Sequence, residues 1–235
     1  MKKTLFSLLG SLAVIAGVVS CNTKDQNPTP PIATFGIVHA SPDAGNVDVY
    51  VGGNLAAQNF AYGADTGYFA VTPGTYTLQF APTGTTNFVI NTNIMLSPAT
   101  TYSIFAIDSL SAIKAAVVTD SFTTPSTDSV RVRFFHFSPD APAVDVAIAG
   151  GSTLFGNRTF NDQSANASYQ SFTTIAAGTY NLEVRTAGTS TVVLPVPAIT
   201  LEGGKVYTLY AKGFLTGTGT QSLAIGTVIH NQSGL

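Results

Sequence analysis

His39, Ser41, Asp43 and Asp48 crowd into one short stretch, "HASPDAGNVDV", and the same types return about a hundred residues later as His136, Ser138, Asp140 and Asp145 in "HFSPDAPAVDV". These side chains could do chemistry. Serine, histidine and aspartate can serve as nucleophile, base and orienting acid of a hydrolase. Neighbouring carboxylates can hold Ca²⁺, which takes about six to eight oxygens. Histidine with carboxylate can hold Zn²⁺, through roughly four ligands. None of these fits well. Each serine stands directly before a proline, Pro42 or Pro139, without the glycine-flanked elbow of a nucleophilic serine. One or two carboxylates per copy are too few for Ca²⁺. The chain has 3 His, and His230 lies far from the other two in sequence. Two complete copies suit a structural module better than one active centre. The chain carries no cofactor motif, and we expect no enzyme, no metal and no cofactor.

The surrounding residues say how the motif is positioned. Phe35, Ile37 and His39 alternate onto one side of a strand, as do Val132, Phe134 and His136. The opposite side carries Thr34 and Gly36 in one copy, and Arg131 and Arg133 in the other. The histidine is therefore the last apolar-face residue before the chain turns. Proline presets φ for the second position of that turn and pushes the residue before it to extended geometry. Asp43 and Asp140 can hold the turn through side chain to backbone hydrogen bonds. Val47-Asp48-Val49 and Val144-Asp145-Val146 then begin the next strand. A half-buried imidazole needs partners, and Asp48 and Asp145, or nearby backbone carbonyls, are the expected ones. His39, Ser41, Pro42, Asp43, Asp48 and their counterparts His136, Ser138, Pro139, Asp140 and Asp145 read as a structural motif.

The rest of the chain repeats with it. "PGTYTLQF" from Pro73 matches "AGTYNLEV" from Ala177, and Gly84-Thr85 matches Gly188-Thr189. "TYSIFAI" from Thr101 matches "VYTLYAK" from Val206. The spacing grows between Val49 and Gly74, which places an insertion of about seven residues in the second copy, near Phe160–Tyr169. Alternation of period two recurs between Gly, Pro, Asn and Asp clusters, the pattern of half-buried strands. No segment of the mature chain has helical periodicity. The expected fold is all-β: two tandem immunoglobulin-like antiparallel β-sandwiches over 32–123 and 128–235, joined by the polar seam "TTPSTDS". The Tyr of each Gly-Thr-Tyr reads as core. Phe60, Tyr62, Tyr68 and Phe69 offer a candidate sugar-stacking platform in the first copy.

The N-terminus reads differently. Met1-Lys2-Lys3 and the apolar run Leu5–Val19 make a secretory signal over 1–20, too short for the roughly 20 residues of a membrane span. It runs into "VVSC", which resembles the lipobox of bacterial lipoproteins, and that resemblance implies lipidation of Cys21. The chain has 1 Cys, so it forms no internal disulfide. Residues 21–31, rich in proline and polar side chains, read as a tether. Without Lys2 and Lys3 the chain keeps 8 basic against 12 acidic residues, which leaves no footprint for nucleic acid. Charged residues make up 9% of the chain, far below the usual ~25%.

The paired His-x-Ser-Pro-Asp, Val-Asp-Val and Gly-Thr-Tyr signature resembles the bacterial family known as domain of unknown function 4397. The resemblance implies secreted or surface proteins, often lipoproteins, built of β-sandwich modules. It brings no catalytic residues. The second copy departs from the first in its longer loop and in Ala147 where the first has Tyr50. The reading is a non-catalytic cell-envelope lipoprotein, anchored to the outer membrane by lipid, that binds a glycan or protein partner through its sandwich loops. A spacer without a ligand is the alternative.

Overall fold

The computed structural model describes residues 31–230. The expected signal over 1–20, the expected lipidation site Cys21 and most of the expected tether lie outside the described residues. Among the described residues the chain is all-β, with 3-10 turns in place of α-helix. Eight strands come first: β1 (Ala33–His39), β2 (Val47–Val51), β3 (Asn54–Phe60), β4 (Asp65–Val71), β5 (Gly74–Pro82), β6 (Ile90–Leu96), β7 (Thr101–Ile107) and β8 (Lys114–Asp120). Eight more follow: β9 (Ser129–His136), β10 (Val144–Ile148), β11 (Thr153–Arg158), β12 (Thr173–Ala176), β13 (Gly178–Thr186), β14 (Val192–Leu201), β15 (Val206–Lys212) and β16 (Ala224–His230).

They form four sheets, ordered β3-β2-β5-β6, β4-β1-β7-β8, β12-β9-β15-β16 and β11-β10-β13-β14. The second pair of sheets repeats the first strand for strand. Each half departs from a purely antiparallel sandwich in one place, because β1 pairs in parallel with β7 and β9 with β15. This pair brings the seventh strand of each half beside its first.

Alternation explains the two outer cores. Val47, Val49 and Val51 of β2 meet Phe35 and Ile37 of β1, with Leu78 and Phe80 of β5 beside them. In the second half Val144, Val146, Leu182 and Val184 meet Val132, Phe134 and Leu209. Alternation does not explain β1, in which all seven residues are buried, nor β9 and β15, which are nearly as covered. The reason is a third apolar layer. Val38, Ala40, Phe105, Ile107, Ala116 and Val118 of the first half pack on Phe135, Phe137, Tyr210 and Val228 of the second. The sheets therefore stack in four layers, with the β1 and β9 sheets face to face in the middle, and the described residues make one compact unit.

The mating faces complement each other in size. The strand registers make Gly36 the counterpart of Arg133, since each lies beside the hydroxyl residue of the parallel strand, Ser103 or Thr208. Val38 then corresponds to Phe135, and Ala40 to Phe137. The first half presents small residues where the second presents large ones. Phe105 fills the centre, with ring centroids 5.7 Å from Phe135, 4.9 Å from Phe137 and 5.9 Å from Tyr210. Gly226 lies opposite Tyr210 on β16 and leaves room for its ring, because a Cβ there would sit 2.2 Å from Tyr210 Cζ.

Candidate functional site

The repeated motif holds backbone in both halves. His39 Nε2 reaches Gly45 O at 2.7 Å, and His136 Nε2 reaches Pro142 O at 3.1 Å. Each imidazole thus ties the strand end to the turn that follows, through a carbonyl and not through Asp48 or Asp145. Those aspartates clamp two other segments. Asp48 Oδ1 accepts from Asn59 N at 2.8 Å and Oδ2 from Gly84 N at 3.0 Å. Asp145 accepts from Asn157 N at 2.6 Å and Gly188 N at 2.9 Å. Both Asn59 and Asn157 have positive φ, as do Gly84 and Gly188, so the carboxylate holds turns in the left-handed region, which glycine adopts freely and asparagine tolerates. The backbone N–H bonds from Asn59 and Gly84 hold the Asp48 carboxyl below the usual carboxylate range.

Asp43 and Asp140 reach further along the chain. Asp43 accepts from Leu110 N and Asp140 from Leu215 N, each at 2.7 Å, pinning the loop after β7 and the loop after β15. The Ser41 hydroxyl is buried without a partner, and so are Nδ1 of His39 and of His136. Ser138 Oγ points to Asp140 at 3.5 Å. Neither serine bonds its histidine, so the nucleophile–base pair of a hydrolase is not assembled. Among the described residues no three His, Cys, Asp or Glu side chains gather to hold a metal. The Gly-Thr-Tyr tyrosines bond back to the chain they follow, Tyr76 to Thr72 O at 2.6 Å and Tyr180 to Ala176 O at 2.7 Å.

A buried polar cluster joins the two halves, and only Tyr68 of it was a candidate in the sequence. Arg133 and Asp120 form an ion pair with both side chains fully buried. Arg133 Nε donates to Thr208 Oγ1 at 2.8 Å, and that hydroxyl meets His230 Nε2 at 2.6 Å. His230 Nδ1 meets Tyr68 Oη at 2.5 Å, and Tyr68 donates to Asp120 Oδ2 at 2.7 Å. One assignment satisfies every atom: Arg133 to Thr208, Thr208 to His230, His230 Nδ1–H to Tyr68, Tyr68 to Asp120, and Arg133 back to Asp120. Ser103 adds a bond to the same carboxylate oxygen at 2.7 Å. Burial lowers the His230 pKa to about 4, so the ring holds a neutral imidazole. Ser103, Asp120, Arg133, Thr208 and His230 are buried, and the cluster ties Tyr68, Ser103 and Asp120 of the first half to Arg133, Thr208 and His230 of the second as a lock between halves.

The expected stacking platform is not formed. Phe60 is buried in the first core, Tyr62 lies edge-on to His39, Tyr68 belongs to the lock, and Phe69 packs at 5.6 Å from Phe35. Parity alone could not reveal that a second sheet covers this side. The inserted loop of the second half is no free loop either. Its two 3-10 turns, Asp162–Ser164 and Ala167–Gln170, pack against β8 and β9. Gln170 O accepts from Arg133 Nη1 at 3.2 Å, and Phe172 stacks on the Arg133 guanidinium at 4.3 Å.

An exposed aromatic pair lies elsewhere, on the outer face of the β3-β2-β5-β6 sheet. Tyr50 points away from the core between Val49 and Val51, and Phe88 stands edge-on to it at 6.1 Å. Phe88 is 41% exposed. The cross-strand partners around them are neutral: Leu55, Gln79 and Asn91 share a row with Tyr50. Gln79 bonds Asn91 at 3.3 Å and Thr77 bonds Asn93 at 3.2 Å. The second half carries Ala147, Val192, Glu183 and Pro195 at the positions of Tyr50, Phe88, Gln79 and Asn91. There the face holds the Glu183–Arg185 ion pair instead.

These features describe an all-β, four-sheet protein whose repeated turns are clamped by a His and two Asp per half. Residues 33–147 match the model of a family described as Domain of unknown function (DUF4397). No curated protein matches the chain. Among solved structures, the α-glucan-binding streptococcal virulence factor is 9% identical, with 76% of this chain and 92% of that chain covered and a TM-score of 0.26. The Bacillus anthracis TIE protein is 11% identical over 85% of this chain and 44% of that one, with a TM-score of 0.23. The family CBM26 module CBMbc from Eubacterium rectale Amy13K, solved with maltoheptaose, is 11% identical over 85% and 97%, with a TM-score of 0.22. Likenesses this remote carry no functional information about this chain.

Proposed function

We propose that this protein is a non-catalytic, lipid-anchored envelope protein that binds an uncharged glycan on the outer face of its first sandwich. One observation carries the reading. Two copies of one scaffold sit in one chain, and only the first places an aromatic pair among carboxamides and hydroxyls on its outer face. A sugar ring has an apolar C–H face and a rim of hydroxyls. Tyr50 and Phe88 suit the first, and Gln79, Asn91 and Asn93 suit the second. Asp48, the carboxylate on the same face of β2, is buried and taken up by Asn59 N and Gly84 N, so the exposed surface around the pair is neutral and favours a neutral ligand. A spacer would have no use for such an asymmetry.

A glycan array and affinity electrophoresis with the full-length protein test this. Neutral polysaccharide should retard the protein, and Tyr50→Ala, which copies Ala147, should weaken retention roughly tenfold or more, as removal of an interface anchor does. Absence of neutral-glycan binding, or unchanged retention in Y50A, argues for the spacer. Lipidation of Cys21 is a separate part of the proposal. Cys21→Ala should leave the precursor uncut or free the protein from the membrane fraction. Normal processing with full membrane retention would refute it.

A further inference from the structure

Beside the lock, at the open end of the junction between halves, lies a groove of about 350 Å³. Thr119 and Ser121 line it from the first half, and Arg131, Gln170, Ser171 and Phe172 from the second. Its volume lies at the low end for small-ligand sites, about 300–1,000 Å³. Arg131 sets its chemistry. Among the described residues Lys114, Arg133, Arg158, Arg185 and Lys205 each have a carboxylate partner, and Lys212 lies over the Tyr62 ring. Arg131 has no side-chain partner among the described residues. Asp120, which lies between the lining residues Thr119 and Ser121, is held by Arg133, Tyr68 and Ser103 and is not paired with Arg131.

We propose that this groove is a second binding site, for the carboxylate of a small hydroxylated ligand of the uronic-acid class. A guanidinium matches a carboxylate through two parallel hydrogen bonds. A single cation suits a monoanion better than a phosphate dianion. The hydroxyls of Thr119, Ser121 and Ser171 make no side-chain hydrogen bond within the described protein, and they suit the hydroxyls of a sugar ring. The site takes residues from both halves, so it exists only while the lock is closed. It is independent of the face around Tyr50, where the residues paired across the strands with Tyr50 are neutral.

The test is an amide NMR titration of the full-length protein with sodium glucuronate, with glucose, acetate and inorganic phosphate as separate arms. Glucuronate should shift the amides of 119–121 and 167–172 saturably, and acetate should shift the same amides more weakly. Arg131→Gln should weaken glucuronate binding at least tenfold. Arg131→Lys, which keeps the charge and loses the fork, should fall between. No shift of these amides with glucuronate, an equal effect of glucose, tighter binding of phosphate, or wild-type binding by R131Q would each overturn the proposal. If R131Q unfolds, Ser121→Trp decides instead. It fills the groove from an exposed position, and it must abolish the glucuronate shifts for the proposal to stand.

Discussion

His230 sits in its ring as a neutral imidazole, and neutrality has a pH signature. Burial is the main cause of its lowered pKa; Arg133 acts the same way, and the Asp120 carboxylate opposes them. Tyr68, Thr208, Phe122 and Phe172 complete its surroundings. The unfolded chain protonates this histidine near the usual 6.5, whereas the folded chain does so only near 4. Between these values the unfolded state binds the extra proton, so stability falls as pH drops through this window. A shift of this size corresponds to about 3 kcal/mol, fully lost at and below pH 4. Burial also lowers the pKa of His39 and His136, and they add to the loss in the same direction. Asp48, with its depressed pKa, adds a further loss only below the ordinary carboxylate range. Urea midpoints at pH 7, 5.5 and 4.5 should decline steadily, and His230→Gln should flatten that slope. An equally steep slope in H230Q would show that His230 is not the group responsible.

At the scale of elements, β15 and β16 show how one missing side chain admits a large one. Tyr210 crosses Gly226, and an added methyl would meet its ring at 2.2 Å. Gly226→Ala should therefore cost about 1–3 kcal/mol through overpacking. Tyr210→Leu in the same chain should recover part of that, because the ring is what the methyl meets. A G226A protein with an unchanged denaturant midpoint would sink the argument, and so would strictly additive effects of the two changes. The inserted segment makes a related point. Its length was legible from the shift in repeat spacing, but its placement was not. It seals the side of Arg133 with the Gln170 carbonyl and the Phe172 ring.

For the whole molecule, the Asp120–Arg133 pair decides whether two sandwiches behave as one body. It is fully buried and bridges the halves. Removing one partner of such a pair typically costs about 3–5 kcal/mol, because the other charge remains buried and uncompensated. Asp120→Ala should lose that much. Adding Arg133→Met should restore a substantial share, because an apolar side chain there continues the layer of Phe135 and Phe137. Equilibrium unfolding of the four proteins of this cycle measures the coupling, and a double variant no better than D120A would contradict it.

The sequence by itself determined the strands, the repeat and the turns. Period-two alternation, Gly and Pro punctuation and the recurring Val-Asp-Val are local signals, whereas the clamp of Asp48 on Asn59 and Gly84 was not legible, because the sequence offered that aspartate as a partner for His39. His39 could be placed at the end of an apolar face by parity, although the carbonyl that holds it could not be chosen from two candidates. Only the tertiary structure decided what lies on the second face of β1 and β9. Gly36 and Arg133 read as the solvent side of their strands because alternation describes one strand against one core. Their burial comes from the facing sheet of the other half, which no single-strand pattern reveals and which is matched to them in size and charge. The same layer turned Tyr68 from a candidate sugar platform into part of the lock, and it left Tyr50 and Phe88 on a sheet face that nothing else in the described chain covers.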